Sequence, residues 1–318
     1  MLKAGLCPFL TDSSVETLRS KGYTTIADFV SVDPEEVVSI TSLPYKDVVA
    51  ARHMLGAQFA ALATCGADLY QQVLASVAIL STGCASLDGL LDGGLYGSEV
   101  TEVTGPAASG KTQICLSAAL HLARMVQQNA IYIDTKGGLD TARLQDMLEA
   151  TVTSEQEAHS VCSRLMCYKA YDTQELLSVL EMIKENMRSQ QEDFYCHVKL
   201  VVLDCVTSVV LPVLGGQCAE GHGMMMYIAR MIKSLAAEFS LAVLVTNNMV
   251  GSFEGASRPA LGKSWQYVPN VRVELQRAQC SNSLDVRLAQ LSKSCRQPLG
   301  SKVFFKITSA GLESAPLT

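Results

Sequence analysis

The sequence has little net positive charge and lacks long apolar runs, and each absence excludes a class of protein. Its 318 residues carry 25 Lys and Arg against 31 Asp and Glu, a formal net charge of −6. The chain as a whole therefore lacks the strongly basic composition that identifies many nucleic-acid-binding proteins from charge alone. The longest apolar runs, residues 200–203 and 241–245, are far shorter than the roughly 20 residues that span a bilayer. We expect no membrane-spanning segment and interpret both runs as buried strands.

Cysteine and histidine are present, but not at spacings that build a disulfide framework or a metal site. The 11 cysteines are scattered without paired spacing, and no signal peptide precedes them, which favours a reducing compartment, the cytosol or the nucleus. Cys162 and Cys167 lack a second pair, and the 5 histidines do not pair at ligand spacing. We therefore expect no zinc site.

The composition supports a folded chain with two parts. Hydrophobic residues make up 48% of the sequence, enough for one substantial core and a small accessory domain. Residues 1–60 contain short apolar stretches broken by glycine and proline, which predicts a domain of three or four short helices. N-cap candidates precede these stretches at Thr11, Thr25 and Asp33. We expect a linker over residues 61–80 and a second domain over residues 81–318.

From residue 81 onward, apolar strands alternate with amphipathic helices. Strands are predicted over residues 100–104, 131–134, 200–204 and 241–246. Helices are predicted over residues 112–127, from residue 173, and over residues 223–239. This order indicates an α/β domain with a mostly parallel sheet. Three further strand patterns, at residues 271–275, 284–291 and 303–307, have no helices between them, so we expect antiparallel strands to complete the sheet.

One motif carries a specific chemistry, and it lies between a predicted strand and a predicted helix. Its residues match the P-loop pattern of nucleotide-binding proteins: Gly105, Pro106, Ala107, Ala108, Ser109, Gly110, Lys111 and Thr112. The glycines let backbone N–H groups approach phosphate oxygens, and the helix N-terminus adds its partial positive charge. We expect ATP as the cofactor, with Lys111 contacting the β and γ phosphates and Thr112 binding Mg²⁺.

Asp204 is a second candidate for the same site, because it ends the apolar strand that follows Lys199. A carboxylate there would stand beside the P-loop and hold the water shell of Mg²⁺. Apolar strands that end in Asp are common in α/β proteins, so this pattern alone does not indicate a binding site. Together with the P-loop, it does. We predict that Thr112 and Asp204 form the Mg²⁺ part of the site.

The order and spacing of several segments resemble the eukaryotic RecA-like strand-exchange recombinases over residues 80–310. The segments are residues 81–95, 99–105, the P-loop, 131–135 and 242–247. The resemblance implies a RecA-like P-loop ATPase core preceded by a small, all-α helix-hairpin-helix-type domain, and a role in homologous recombination repair in the nucleus. Finer details resemble one paralogue of that family in particular. They lie in residues 66–70, 211–217, 260–265 and 293–298.

One departure from the family pattern follows the strand at residues 131–134. Filament-forming members have a Glu there that positions the attacking water, and this sequence has Lys136. A charged ammonium cannot accept a proton from water, and an unperturbed lysine pKa of about 10.4 keeps it charged at neutral pH. We therefore expect at most weak ATP hydrolysis. Lys136 is either a solvated loop residue or a partner of the γ-phosphate, and Asp134 or Asp140 could act as the base instead.

A second departure lies in the linker. Filament-forming members join protomers through a Phe-x-x-Ala segment that adds a strand to a neighbouring sheet and buries its Phe. The aligned slot here runs from Thr64 to Ala67 and has no Phe. Loss of that anchor removes roughly 1.5–3 kcal/mol of apolar burial, so we expect a hetero-oligomer rather than a homopolymer. The alternative is that these residues are only a spacer.

Candidate DNA contacts come from the resemblance and lie in two glycine-rich segments, residues 214–223 and 250–263. Phe253 could stack on a base, and Arg258 and Lys263 could contact phosphates. From residue 258 to the end, nine Lys and Arg stand against three Asp and Glu, so this is the basic part of the chain. The alternative is that these side chains are only solvated.

Three functional hypotheses follow. The first is an ATP-binding recombinase paralogue that assembles with sister paralogues on single-stranded or branched DNA and promotes or stabilises the recombinase filament. The resemblance implies the C-type paralogue and the small X-ray-repair cross-complementing paralogue as partners. The second is a DNA-stimulated ATPase or motor of the RecA-like class. A P-loop small-molecule kinase, a third hypothesis, leaves the N-terminal helices unexplained.

Overall fold

The computed structural model describes residues 2–59, 63, 65–76, 78–215, 219–251, 258–278 and 285–316. Contacts between residues divide the chain into two compact units, residues 1–72 and 73–318. The first unit is helical, and the second is an α/β domain. Each has its own buried apolar side chains.

The first unit consists of short helices around one apolar core. Its helices are α1 (Asp12–Ser20), α2 (Ile26–Ser31), α3 (Pro34–Thr41) and α4 (Tyr45–Phe59). A fifth helix, α5 (Gly66–Ser76), lies within the predicted linker and crosses the boundary between the two units. Thr11 and Thr25 accept hydrogen bonds from backbone N–H groups of α1 and α2, and Asp33 does so for α3. The three predicted N-caps are therefore confirmed. Phe29 and Leu55 are fully buried in this core.

The second unit begins with a small sheet and continues as alternating strands and helices. The small sheet pairs β1 (Ile79–Leu80) with β2 (Leu95–Tyr96), and α6 (Ala85–Leu90) lies between them in sequence. The alternating part contains β3 (Val100–Gly105), α7 (Lys111–His121), β4 (Asn129–Asp134), α8 (Thr141–Thr151), α9 (Glu155–Cys162), β5 (Leu165–Lys169), α10 (Thr173–Ser189), α11 (Asp193–Cys196), β6 (Val198–Asp204), α12 (Val206–Leu214), α13 (Ala219–Phe239) and β7 (Ala242–Val250). A π-helical turn, Leu122–Val126, follows α7.

The last part of the chain forms strands that complete the main sheet. It contains β8 (Arg258–Pro259), α14 (Gly262–Trp265), β9 (Val271–Arg277), β10 (Val286–Lys293), β11 (Lys302–Thr308) and β12 (Gly311–Ala315). The strand order is β12-β11-β10-β9-β3-β7-β6-β4-β5, and β8 pairs with β7. Strands from β9 to β5 in this order are parallel, whereas β9 to β12 pair antiparallel. The predicted parallel sheet with C-terminal antiparallel strands is therefore confirmed.

Helices cover both faces of the central strands. Tyr132 and Val202 belong to the apolar cluster that contains side chains of α7, whereas Ile131 and Val201 belong to the cluster that contains side chains of α10 and α13. Neighbouring residues of one strand thus point to opposite faces and are buried on both. This two-sided burial explains why the strands appear in the sequence as continuous apolar runs.

A buried carboxylate lies on β3, the strand that leads into the P-loop. Glu102 is 1% exposed and forms an ion pair with Arg272 of β9. It also accepts hydrogen bonds from Trp265 Nε1 of α14 at 2.7 Å and from Asn247 Nδ2 of β7 at 2.8 Å. These partners compensate the cost of burying the charge, and they tie three elements to β3.

Candidate nucleotide-binding site

The carboxyl ends of parallel strands bring the predicted site residues together. β3 ends at Gly105 before the P-loop, and β6 ends at Asp204. Ligands of parallel α/β sheets bind at this edge because the loops that follow the strands form a crevice there. A cleft of about 640 Å³ lies at this edge, and Lys111, Thr112 and Lys136 are among the residues that line it.

The two glycines of the P-loop are required by its backbone. Gly110 precedes α7 with a φ of 104°, in the left-handed region that side chains disfavour. A Cβ on Gly105 would lie 2.5 Å from Ser109 Oγ and 2.8 Å from the backbone oxygen of Leu275. A Cβ at position 105 would require its neighbours to move, and a side chain at position 110 would be strained by the positive φ, so both glycines preserve a tight turn before the helix N-terminus.

Lys111 is held against its own loop. Its Nζ donates hydrogen bonds to the carbonyl oxygens of Gly105 at 2.7 Å and Pro106 at 2.9 Å. Burial lowers the pKa of Lys111, and repulsion from Lys136 lowers it further. Ser109 Oγ is buried and has no hydrogen-bond partner in the described part of the chain. A buried ammonium and an unpartnered hydroxyl beside a helix N-terminus fit the phosphate groups of a nucleotide.

Asp204 is the centre of a hydrogen-bond cluster. It is 2% exposed, and its Oδ2 accepts from Thr112 Oγ1 at 2.6 Å and from Tyr132 OH at 3.1 Å. Its Oδ1 accepts from Thr246 Oγ1 at 2.5 Å and from Lys136 Nζ at 2.9 Å. Burial alone would raise the pKa of Asp204, but Lys136 and the hydroxyl donors outweigh burial, and the pKa is lowered. The carboxylate is therefore charged at neutral pH and placed beside Thr112, as a Mg²⁺ site requires.

Lys136 lines the cleft and has a partner that the sequence did not indicate. Its side chain is 31% exposed, and it forms a salt bridge with Asp204 rather than extending into solvent. Burial lowers the pKa of Lys136, but attraction to Asp204 outweighs burial and the pKa is raised. The ammonium thus stays charged, and it contacts the residue expected to hold the water shell of Mg²⁺.

Asp134 and Asp140 have structural contacts in the described structure. The Asp134 carboxylate accepts hydrogen bonds from the backbone N–H groups of Lys136, Gly138 and Leu139 at 3.0, 3.2 and 3.0 Å. Asp140 caps α8 by accepting from the N–H of Ala142 at 2.9 Å. Neither is among the residues described as lining the cleft, so the idea that one of them is the base gains no support from the geometry.

The sequence analysis missed other residues of the cleft. Arg143 and Asn248 line it, as does Arg287. Arg143 donates to Gln113 Oε1 at 2.8 Å, and to the carbonyl oxygens of residues 308 and 309 at 2.6 and 3.0 Å. Tyr132 and Thr246, which contact Asp204, were also missed. None of these residues belongs to the P-loop pattern, and only the strand order brings them near it.

Among the other predicted contact residues, Arg258 and Lys263 are not among those described as lining the cleft. Arg258 on β8 and Lys263 on α14 are exposed, and Ala67 is exposed on α5. Phe253 and Thr64 lie outside the described residues. Their predicted roles in DNA and partner binding remain predictions.

The described ranges contain neither a metal cluster nor a membrane-spanning helix. There, no group of three or more His, Cys, Asp or Glu side chains is arranged to hold a metal ion by itself. No helix in the same ranges combines the length and apolar character needed to cross a membrane. The predicted Mg²⁺ site at Thr112 and Asp204 differs from such a cluster, because phosphate and water would have to supply its other ligands.

Comparison with known proteins gives the family context. The family model described as Rad51 matches residues 74–315, and the model described as RAD51D, N-terminal domain matches residues 1–58. DNA repair protein RAD51 homolog 4 of Bos taurus is 45% identical over 313 residues, 98% of this chain and 96% of the relative. The protein of the same name from Mus musculus is 42% identical over 316 residues, with the same coverage of 98% and 96%.

More distant proteins agree with this context. DNA repair protein RAD51 homolog 2 of Homo sapiens is 28% identical over 293 residues, 79% of this chain and 74% of the relative. Among solved structures, the RadB recombinase matches with a TM-score of 0.60 and 25% identity, covering 75% of this chain and 100% of that one. The RecA-like fold and the resemblance to the recombinases are confirmed, and the paralogue indicated by the finer segments is the D-type.

Proposed function

This chain belongs to the Rad51 family and acts in homologous recombination repair of DNA, and we propose that it does so as an ATP-binding assembly protein. It binds ATP and Mg²⁺ and joins sister paralogues, namely the C-type paralogue and the small X-ray-repair cross-complementing paralogue. The resulting hetero-oligomer engages single-stranded or branched DNA in the nucleus. There it promotes or stabilises the recombinase filament.

The observation that carries the ATP part of the proposal is the pairing of P-loop and Asp204. Proteins of the Rad51 family generally bind ATP with Mg²⁺. In this chain, Gly105 to Thr112 would surround the phosphates, with Lys111 moving from its carbonyl partners to a phosphate oxygen. Thr112 would bind Mg²⁺ directly and Asp204 through water, and the ion would neutralise part of the triphosphate charge.

The proposal favours assembly over catalysis because of Lys136. The ammonium is charged and tied to Asp204, so it cannot act as the base that activates water. Nucleotide that binds the folded, assembled state better than the free chain stabilises an interface without turnover. The second candidate, a DNA-stimulated ATPase, requires another residue or a partner chain to supply the base.

Steady-state ATP turnover separates the two candidates. We expect turnover by the isolated chain to stay close to the background rate and to rise less than about threefold with single-stranded DNA, because none of the described residues that line the cleft is a carboxylate or a histidine. The same measurement is made with each candidate paralogue added. A fast rate for the isolated chain that increases with DNA would replace the assembly proposal with the enzyme.

The DNA part of the proposal is tested at the two described basic residues. Arg258→Ala and Lys263→Ala are each expected to weaken binding of single-stranded DNA by about two- to fivefold and to reduce the salt dependence by about one counterion. Fluorescence anisotropy at several salt concentrations measures both quantities. Lys169→Ala, an exposed lysine on β5 in the acidic part of the chain, is the matched control. Equal effects of all three changes would remove Arg258 and Lys263 from the proposed surface.

A further inference from the structure

We propose that Lys136 is a resident counter-cation at Asp204, and that ATP binding by this chain consequently depends only weakly on Mg²⁺. The inference rests on the proposed function, because it assumes that the cleft binds ATP. It concerns how the charge of the triphosphate is balanced. In P-loop proteins the metal ion does much of this, and here a side chain of the protein shares the task.

The first argument is the number of acceptor positions on Asp204. A carboxylate has two oxygens and about four lone-pair sites. Oδ2 accepts from Thr112 and Tyr132, while Oδ1 accepts from Thr246 and Lys136, which accounts for all four. A water molecule on Mg²⁺ needs one of these sites. Lys136, whose side chain is 31% exposed, holds one of the four, so a water on Mg²⁺ would have to displace one of these donors.

Hydrogen bonds on both sides of Lys136 hold its backbone in place. Its backbone N–H donates to Asp134 Oδ1 at 3.0 Å, and the same carboxylate holds the N–H groups of residues 138 and 139. On the other side, Thr135 Oγ1 donates to the carbonyl oxygen of Cys205 at 2.6 Å, next to Asp204. Lys136 is thus fixed through both neighbouring segments, and little conformational freedom is lost when its side chain pairs with Asp204.

The third argument is the charge of the cleft. Lys111, Lys136 and Arg143 are among the basic residues that line it, and none of its described lining residues is acidic. Asp204 lies behind this lining and is already neutralised by Lys136. An incoming triphosphate therefore meets an excess of positive charge even before a metal ion binds. The attraction between them is stronger in a partly desolvated site than in water.

The test is ATP affinity measured with Mg²⁺ and with excess EDTA. A fluorescent ATP analogue and isothermal titration calorimetry report binding without any turnover. For the wild-type chain, we expect the dissociation constant in EDTA to exceed that in Mg²⁺ by less than about fivefold, whereas Lys136→Gln raises this ratio above about fiftyfold, since one charge-assisted interaction is lost. Lys136→Arg, which keeps the charge, is expected to resemble the wild type.

A control separates the specific effect from the loss of one positive charge. Lys302→Gln removes an exposed lysine at the start of β11 and should leave the Mg²⁺ ratio at its wild-type value. A wild-type ratio above about fiftyfold, or equal ratios for wild type and Lys136→Gln, would overturn the inference. The wild-type arm decides the question even if Lys136→Gln does not fold. Binding of ATP in Mg²⁺ with a large ratio contradicts only the role of Lys136, whereas no binding in either condition contradicts the proposed function as well.

Discussion

Replacing Lys111 with alanine is expected to weaken ATP binding by at least about a hundredfold, because in the proposed site this ammonium is the P-loop donor to the β and γ phosphates. The change should have little effect on folding, since within the described residues Lys111 donates to the carbonyl oxygens of Gly105 and Pro106 of its own loop and to no other acceptor. ATP-dependent association with a sister paralogue should be lost together with ATP binding, whereas association without nucleotide should remain.

Two measurements on the same protein samples test this expectation. Calorimetry gives the ATP affinity, and surface plasmon resonance gives the partner affinity with and without ATP. Lys302→Ala controls for the loss of one lysine away from the cleft. Partner affinity that is the same with and without ATP in the wild-type chain would contradict the role of ATP in assembly, even if Lys111→Ala abolishes nucleotide binding.

Replacing Glu102 with alanine is expected to destabilise the second unit by about 3–5 kcal/mol, because it leaves Arg272 buried without its counter-charge. Arg272 is 7% exposed, so its guanidinium cannot easily reach water. Trp265 Nε1 and Asn247 Nδ2 lose an acceptor as well. Trp265 is the one tryptophan in the sequence, so its fluorescence during urea unfolding reports directly on this cluster.

Two further variants show whether the buried charge causes the loss. The double change Glu102→Gln with Arg272→Met removes both charges and should recover much of the stability lost by Glu102→Ala. Asp146→Ala, at an exposed position on α8, should change the free energy of unfolding by less than about 0.5 kcal/mol. A loss below about 1 kcal/mol for Glu102→Ala would mean that Arg272 finds another partner or reaches solvent.

Local patterns in the sequence predicted the parts of the site that are themselves local. The P-loop could be recognised because its glycines, Lys111 and Thr112 act at fixed spacing within one turn between strand and helix. The strands of the parallel sheet were predicted because burial on both faces leaves uninterrupted apolar runs. Strand β5 was missed, since its residues 165–169 are only partly buried or exposed and show no such run.

The contacts around Asp204 could not be predicted in the same way. Lys136 and Thr246 lie far from Asp204 in sequence and meet it only because β4, β6 and β7 are neighbours in the sheet. From the sequence, Lys136 was interpreted either as a solvated residue or as a partner of the γ-phosphate. Neither interpretation included a carboxylate from another strand. Its role as partner of Asp204 depends on strand order, which no short pattern contains.

The position of β3 within the sheet also affects when this domain can fold during synthesis. Its neighbours are β7, Ala242–Val250, and β9, Val271–Arg277, which leave the ribosome long after the P-loop has been synthesised. Contacts this distant in sequence form late, and unpaired strand edges favour aggregation until they do. A chain terminated before residue 271 would contain every P-loop residue and yet lack a flanking strand and Arg272, the ion-pair partner of Glu102. Premature stop codons late in the reading frame should therefore abolish nucleotide binding although the motif remains intact.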